Sequence, residues 1–483
     1  MLKKASIVIF LFWFGFASSF PVLAQGPISS LERLGTWQIQ HQFSDDLLYI
    51  SDLDAVSSDE VWAVGSSVGN KQAVVFRYKN GSWSEMSLGQ LFANNNCSRL
   101  VAVDMINSNV GWMIGAEDAD CNFYAEPPVL IKYQNGVFSK IDTSVLQNNV
   151  NFLAVSALDS QNVWVAGAGH ISHYDGTSWT IEASGSSYPL VESLDILSPT
   201  FGWAGGVYIW KYDGSNWSDV LLYPSVRDVD AISTTQAWAV GYDGQILHYN
   251  GTAWQFQSTP VTDTLHSVSM TSIGQGFAAG DNGTLLYYDG YSWRKMPTPT
   301  TDRIESISAR VSNDGLIYAW ALTADNTVLR YVGSPAPAPV AVDISPSGGE
   351  LLFQQYQQNT RVIFPKNAVT ETIRITYTYG FPMDANPLVG IGYFFDLATS
   401  VHPTETLQFN QPITIVTRYT DEQIGPAVSN TLRLYWLDGT SWSTSGLTSI
   451  WSENVITSTT THFTTFALLG ETNRTYLPVV FKE

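Results

Sequence analysis

The sequence predicts an all-β protein: a seven-bladed β-propeller closed by an N-terminal strand, followed by a C-terminal β-sandwich. Three observations predict it. A four-strand unit recurs between Leu34 and Val332. The units lack one outer strand at their end and have one to spare at their start. A Pro/Ala spacer then separates them from Thr-rich alternating segments of different composition.

Residues 1–24 read as a signal peptide. Lys3 and Lys4 precede an apolar stretch from Ile7 to Phe20, and Val22-Leu23-Ala24 offers small residues for cleavage. The stretch is shorter than the ~20 residues a membrane-spanning helix needs. Cleavage after Ala24 is expected, with no integral membrane segment afterwards and a secreted or cell-surface location. Acidic residues number 43 against 23 basic ones. A field of that sign repels phosphate backbones, so nucleic acid is excluded as a partner class.

The repeat occupies residues 34–333. Glu60-Val-Trp-Ala-Val-Gly65, Asn162-Val-Trp-Val-Ala-Gly167, Gln236-Ala-Trp-Ala-Val-Gly241 and Gln275-Gly-Phe-Ala-Ala-Gly280 are its clearest copies. Each is followed by an apolar run ending in an aromatic, a Gly-containing turn and another aromatic, as in Ile246-Leu-His-Tyr-Asn-Gly-Thr-Ala-Trp254. Four short strands, a to d, fit each unit, and Asn-Gly or Asp-Gly supplies the positive φ of a tight c–d hairpin. Four antiparallel strands per unit of about 35–50 residues is the period of a propeller blade.

Seven aromatics mark strand b: Trp62, Trp112, Trp164, Trp203, Trp238, Phe277 and Tyr318. Only six mark strand d after a turn: Trp83, Phe138, Trp179, Trp217, Trp254 and Trp293. The last unit runs from Leu329-Arg-Tyr-Val332 into the spacer, while Leu34-Gly-Thr-Trp37 reads as a d strand without a unit. Joining the two closes the ring and removes two exposed sheet edges.

These residues resemble the exported bacterial propellers whose units read W-A-V-G followed by H-Y-x-G-x-x-W, a family loosely grouped with sialidase-type repeats and photosystem assembly factors. The resemblance implies the fold and says little of activity. Sialidase Asp boxes place Asp two residues before the Gly. Here Tyr174 and Tyr212 hold that position, so the Asp-box label fails.

Residues 334–342 form the Pro/Ala linker. In 343–470, alternating segments at 360–364, 372–379, 413–419, 431–436 and 461–469 argue a β-sandwich. Gly348-Gly-Glu-Leu, Val362-Ile-Phe-Pro365, Leu432-Arg-Leu-Tyr-Trp436 and Thr461-His-Phe-Thr-Thr-Phe-Ala467 resemble the ZU5-like sandwich family. Some relatives cut their own chain at His-Phe-Ser. The matching residues are His462, Phe463 and Thr464, with Thr464 as nucleophile and His462 as base; the reading preferred is an ordinary packed strand. Residues 471–483 form a tail with an apolar, β-prone stretch at 476–481.

An exported chain with two cysteines suggests a Cys97–Cys121 disulfide. In the assumed strand order both fall on the face carrying the d-to-a and b-to-c connections. The longest loop, 117–128, lies there too, making Glu117, Asp118, Asp120, Asn122 and Tyr124 the binding-face candidates. Asp118, Asp120 and Asn122 open a calcium-loop spacing, but Phe123 and Val129 stand where Gly and Glu are needed, so a solvated acidic loop is expected and no metal or other cofactor. His173 and His248 occupy equivalent c-strand positions, a packing role.

No nucleotide-binding or nucleophile-elbow motif occurs. The sequence therefore favours a non-enzymatic binding protein with a protein or glycan ligand. A carbohydrate-active hydrolase or lyase is the alternative, and an assembly factor for a membrane complex a further one. Converging carboxylates of raised pKa would separate the first two.

Overall fold

The computed structural model describes residues 35–43, 48–69, 71–93, 96–118, 128–146, 151–184, 190–221, 225–272, 274–290, 293–312, 315–334, 339–355, 358–379, 388–399, 408–420, 427–438, 441–462 and 464–471. The expected signal peptide and the tail beyond Glu471 lie outside them.

Seven four-stranded antiparallel sheets follow one another along the first part of the chain. Their a strands are Leu48–Ser57, Cys97–Asn107, Phe152–Ala157, Val191–Ser198, Val226–Ser233, Leu265–Ser272 and Ile304–Val311. Each a strand packs against the next, and the last packs against the first. The result is a β-propeller. Its seventh sheet takes an outer strand from the start of the chain: Trp37–Gln42 pairs antiparallel with Thr327–Gly333, with Trp37 opposite Tyr331 and Ile39 opposite Leu329. This is the pairing that the surplus and deficit of outer strands predicts.

Why the repeat needs its aromatics is visible in the b–c register. The b-strand aromatics pair with Arg77, Lys132, His173, Lys211, His248, Tyr287 and Arg330 of strand c. Arg77 lies 4.8 Å from the Trp62 ring, Lys132 5.4 Å from Trp112 and Arg330 5.1 Å from Trp320. His173 stacks on Trp164 at 3.8 Å and His248 on Trp238 at 4.5 Å. The arginine and lysine contacts, being cation–π, each contribute about 0.5–2 kcal/mol. The two histidines thus pack the sheets, as their equivalent positions indicated.

One register expectation fails. The seventh b-strand residue is Trp320, not Tyr318: Trp320 faces Ser308 and Arg330, the same relationship that Trp62 has to Asp54 and Arg77. The a–b connection of this sheet is longer, so an aromatic count without register picks the wrong ring. The c–d turns also divide into two kinds. Asn80 and Asn135 adopt positive φ beside Gly81 and Gly136, as a two-residue hairpin requires. At 175–176, 213–214 and 250–251 only the glycine does; there Asp175, Asp213 and Asn250 instead accept amide hydrogen bonds from residues two and three positions on.

The later part of the chain forms two more antiparallel sheets. The six-stranded one runs Val340–Ile344, Ile373–Tyr379, Val389–Thr399, Thr465–Gly470, Arg433–Asp438, Ser441–Ser443. The five-stranded one runs Gly349–Gln355, Gln358–Phe364, Gln408–Arg418, Val455–His462, Thr448–Ser452. They share one apolar core that includes Phe353, Val362 and Ile415 from one sheet and Ile375, Tyr377 and Phe466 from the other. The stretch 461–469, which reads as one strand in sequence, is broken: His462 ends a strand of one sheet and Thr465 begins a strand of the other. Arg294 in the sixth propeller sheet bonds Asp289 (2.7 Å) and also Asp396 of this second unit.

Candidate functional site

In six of the seven sheets the repeat's terminal glycine stands beside the site, and in the seventh Thr323 holds that place opposite Ile304. A Cβ on Gly65 would fall 2.0 Å from the Tyr49 carbonyl oxygen, and one on Gly115 would fall 1.9 Å from that of Arg99. Only a residue without a side chain lets strand a approach so closely. At that contact strand a slips by one residue, a β-bulge that recurs in all seven sheets, between Ile50 and Asp52, Leu100 and Ala102, Phe152 and Ala154, Val191 and Ser193, Val226 and Asp228, Leu265 and Ser267, and Ile304 and Ser306. Bulges re-aim side chains. The seven residues carried by these bulges are Ser51, Val101, Leu153, Glu192, Arg227, His266 and Glu305.

They stand near the start of each a strand, on the d-to-a and b-to-c face; Val101 packs against the core there, while Glu192, Arg227 and Glu305 act on one another. Arg227 of the fifth sheet bridges to Glu192 of the fourth at 2.5 Å, and its guanidinium lies 5.1 Å from the Tyr242 ring. Burial opposes the Arg227 charge, but Glu192, Tyr242 and Glu305 together hold its pKa above the usual arginine value. Arg303 donates to Glu305 (2.8 Å), and the His266 ring meets Asp281 at 2.8 Å. Tyr49 and Tyr242 are exposed beside them. The scaffold positions repeat while the mouth positions differ from sheet to sheet, polar and charged on the fourth to seventh sheets and aliphatic on the second and third.

Deeper in the ring, the residues opposite the b-strand aromatics form a closed chain of acceptors. Asp54 accepts the Met105 amide (2.9 Å), Asp104 that of Ala157 (2.6 Å) and Ser156 that of Ile196 (3.0 Å). Asp195 accepts from Ala231 (2.5 Å), Asp230 from Met270, Ser269 from Ala309 (3.0 Å) and Ser308 from Ala55 (3.1 Å). Each bond joins one a strand to the next, and the seventh returns to the first. Nearer the mouth, Asp228 accepts from the Ser193 and Ser267 hydroxyls and from the Val229 and Val268 amides. Asp52 accepts from Leu53, Val103 and Ser306.

Six carboxylates thus line the ring's interior, Asp54 buried and the other five half-buried. Burial pushes Asp52 and Asp104 up to about 7, the latter aided by the Asp54 charge. Burial pushes Asp230 up to about 6 and raises Asp228; Asp195 is raised well above the usual carboxylate value, through burial and then the Asp230 charge. Arg310 lies 3.2 Å from Asp54 and acts on Asp104 and Asp230 as well. Sequence spacing contained a signal for this set: an Asp or Ser stands at the same distance before the b-strand aromatic in the first six sheets.

The sequence-derived candidates are dispersed. Glu117 is half-buried at the periphery of the second sheet, where it accepts from Ala93 (2.9 Å), Asn96 (3.1 Å) and Lys140. Burial opposes its ionisation, but Lys140 and the Ala93 amide hold its pKa below the usual carboxylate range. Cys97 is buried opposite Asp118 in that sheet. Asp120, Cys121, Asn122 and Tyr124 lie outside the described residues. His462 is buried; its Nδ1 meets the Thr460 hydroxyl at 3.1 Å and its ring packs against Trp436 at 4.6 Å. Thr464 donates to the Leu437 carbonyl (3.3 Å), and Phe463 lies outside the described residues. Among the described residues, no three His, Cys, Asp or Glu side chains are placed to hold a metal ion, and no helix is long and apolar enough to cross a membrane.

No family model matches the chain, and no curated protein matches it. Solved structures do. YCF48 from Cyanidioschyzon merolae is 16% identical over 61% of this chain and 98% of its own, with a TM-score of 0.47. YCF48 bound to D1 peptide is 18% identical over 61% of this chain and 96% of its own, and the RRP9 WD40 repeats 10% identical over the same shares, both with TM-scores of 0.47.

Proposed function

We propose that this chain is an exported, non-enzymatic binding protein that holds a polypeptide segment at the bulge-lined mouth of a seven-bladed propeller. The observation that carries the reading is the recurrent bulge. One scaffold device recurs seven times and carries a hydroxyl, two aliphatic, two acidic, one basic and one imidazole side chain. A rigid platform with variable tips is a recognition design. The mixture of Glu192, Arg227, His266 and Glu305 with Val101 and Leu153 suits a peptide, which offers charges and apolar groups together.

The second unit is, in this reading, a ZU5-like β-sandwich acting as spacer or docking module. Cys97 pairs with Cys121 in this reading. The carboxylates of the interior favour the second reading, a carbohydrate-active hydrolase. Against it stands their engagement: all six accept backbone amides of the ring.

The test pairs a displayed random-peptide library with a glycan array and a glycan-hydrolysis screen, using the chain without residues 1–24 and its Arg227→Glu variant. Peptide enrichment that the variant loses supports the proposal. Glycan turnover, or enrichment indifferent to Arg227→Glu, overturns it.

A further inference from the structure

We propose that Asn80 and Asn135 are sites of spontaneous modification, where the amide of the glycine that follows displaces the side-chain amide as ammonia, while the fold holds Asn250 and Asn282 against the same reaction.

The sequence contains four Asn-Gly pairs, at 80–81, 135–136, 250–251 and 282–283. Glycine leaves its amide nitrogen unshielded by a side chain, so each pair carries the same local chemistry. The glycine nitrogen attacks Asn Cγ. A C–N bond forms, the Cγ–Nδ2 bond breaks, and the amide proton leaves with the ammonia. The succinimide that remains takes up water at either of its carbonyls, giving aspartate or isoaspartate. Water is the only co-reactant, and nothing is oxidised or reduced.

What separates the pairs is how firmly the structure engages them. Asn80–Gly81 joins the strands Ala73–Lys79 and Ser82–Glu85, and Asn135–Gly136 joins Pro128–Gln134 and Val137–Ile141. Both pairs are exposed, and a Cβ added to either glycine would meet nothing within 4 Å. Among the described residues, no hydrogen bond holds the Asn80 or Asn135 side chain or takes the Gly81 or Gly136 amide.

Asn250, by contrast, accepts through Oδ1 from the Thr252 amide (3.1 Å), the Thr252 hydroxyl (2.7 Å) and the Ala253 amide (3.1 Å). A Cβ on Gly251 would lie 3.1 Å from that of Thr235, which backs the turn. Asn282 donates through Nδ2 to Asp263 (2.8 Å), and Gly283 is buried, with its Cβ position 2.1 Å from the Thr300 carbonyl oxygen. Ring closure at these two pairs breaks side-chain bonds and moves packed backbone. At 80 and 135 it needs only the tip of a hairpin to open.

The products act on the first two sheets. Each event adds a negative charge, and isoaspartate lengthens the main chain inside a two-residue turn that sets Lys79 opposite Ser82 and Gln134 opposite Val137. The outer strands carrying Trp83 and Phe138 are the ones displaced.

The experiment incubates the full chain at mildly alkaline pH, folded and in denaturant. All four pairs are followed by peptide mapping, and isoaspartate is counted with an isoaspartyl methyltransferase and a labelled methyl donor. In the folded protein Asn80 and Asn135 should convert about tenfold or more faster than Asn250 and Asn282, and in denaturant the four rates should come together. Conversion of Asn250 or Asn282 as fast as Asn80 and Asn135 in the folded protein would overturn the proposal. So would a folded chain that stays intact at all four pairs while the denatured one converts. A denatured chain in which Asn250 and Asn282 stay slow would overturn it too, because the fold would then not be what protects them.

Discussion

The Ser308 hydroxyl oxygen accepts the Ala55 amide at 3.1 Å and donates to Asp54 at 3.0 Å, across more than half the length of the chain. These bonds join the last a strand to the first. They are the inner counterpart of the outer seam where Trp37 lies beside Tyr331, their ring centroids 5.6 Å apart. The ring is thus latched twice, at its axis and at its rim, by segments from the two ends of the propeller.

The rim latch predicts a truncation effect. A chain beginning at Phe43 loses Trp37–Gln42 and leaves the strand Thr327–Gly333 as an open edge. Its Tm should drop by about 10 °C or more relative to a chain beginning at Gly35, with aggregation on concentration followed by light scattering.

Register predicts an asymmetry within the seventh sheet. Trp320 is fully buried and packs on Tyr78 and Arg330, so Trp320→Ala should cost about 3–5 kcal/mol in denaturant unfolding. Tyr318→Ala should cost less than half as much. Equal losses would contradict the assignment of Trp320 to the repeat position.

Glu60 predicts an acid limb. It is buried and accepts from Arg77 (3.0 Å), Lys79 (2.8 Å), Ser108 (2.9 Å) and the Trp62 indole (3.3 Å). Burial opposes its ionisation, but Lys79, Arg77 and Ser108 outweigh that and hold its pKa below the usual value. The stability it contributes is present above the unfolded-state pKa and is lost as pH falls through the lower folded one. Glu60→Gln should cost about 3 kcal/mol at pH 7. The gap between the two proteins should shrink below about pH 4. Unfolding curves at both pH values check this.

Arg294 predicts coupling between the two units. It sits between the buried Asp289 and Asp396 of the second unit, and although burial disfavours its charge, those two carboxylates raise its pKa. A double-mutant cycle of Arg294→Met with Asp396→Asn should give a coupling energy above about 1 kcal/mol. Additive effects would mean the contact contributes nothing.

Much of the architecture was readable because it rests on local periodicity. The Trp-Ala-Val-Gly and His-Tyr segments announce strands b and c, and the stranded Trp37 segment announces the seam. The site was less readable. Glu117 and the loop after it stand out in sequence because the loop is long, yet Glu117 ties Ala93 and Asn96 to its own sheet. Likewise His462 and Thr464 look like a catalytic pair in sequence, but they flank the crossing from one sheet to the other, and their hydroxyl and imidazole bond Leu437 and Thr460 instead.

By itself the sequence determined the strand period, the aromatic packing positions and the ends that must meet, because each follows from the alternation of neighbouring side chains. Tertiary structure alone decided what faces the axis. A bulge reverses the alternation of strand a, so Arg227 and Asp228 swap the faces that period-2 reading would assign. Asp104, Asp195 and Asp230 stand at a constant spacing before the b-strand aromatics, but only the closing of distant strands into a ring brings them to one interior.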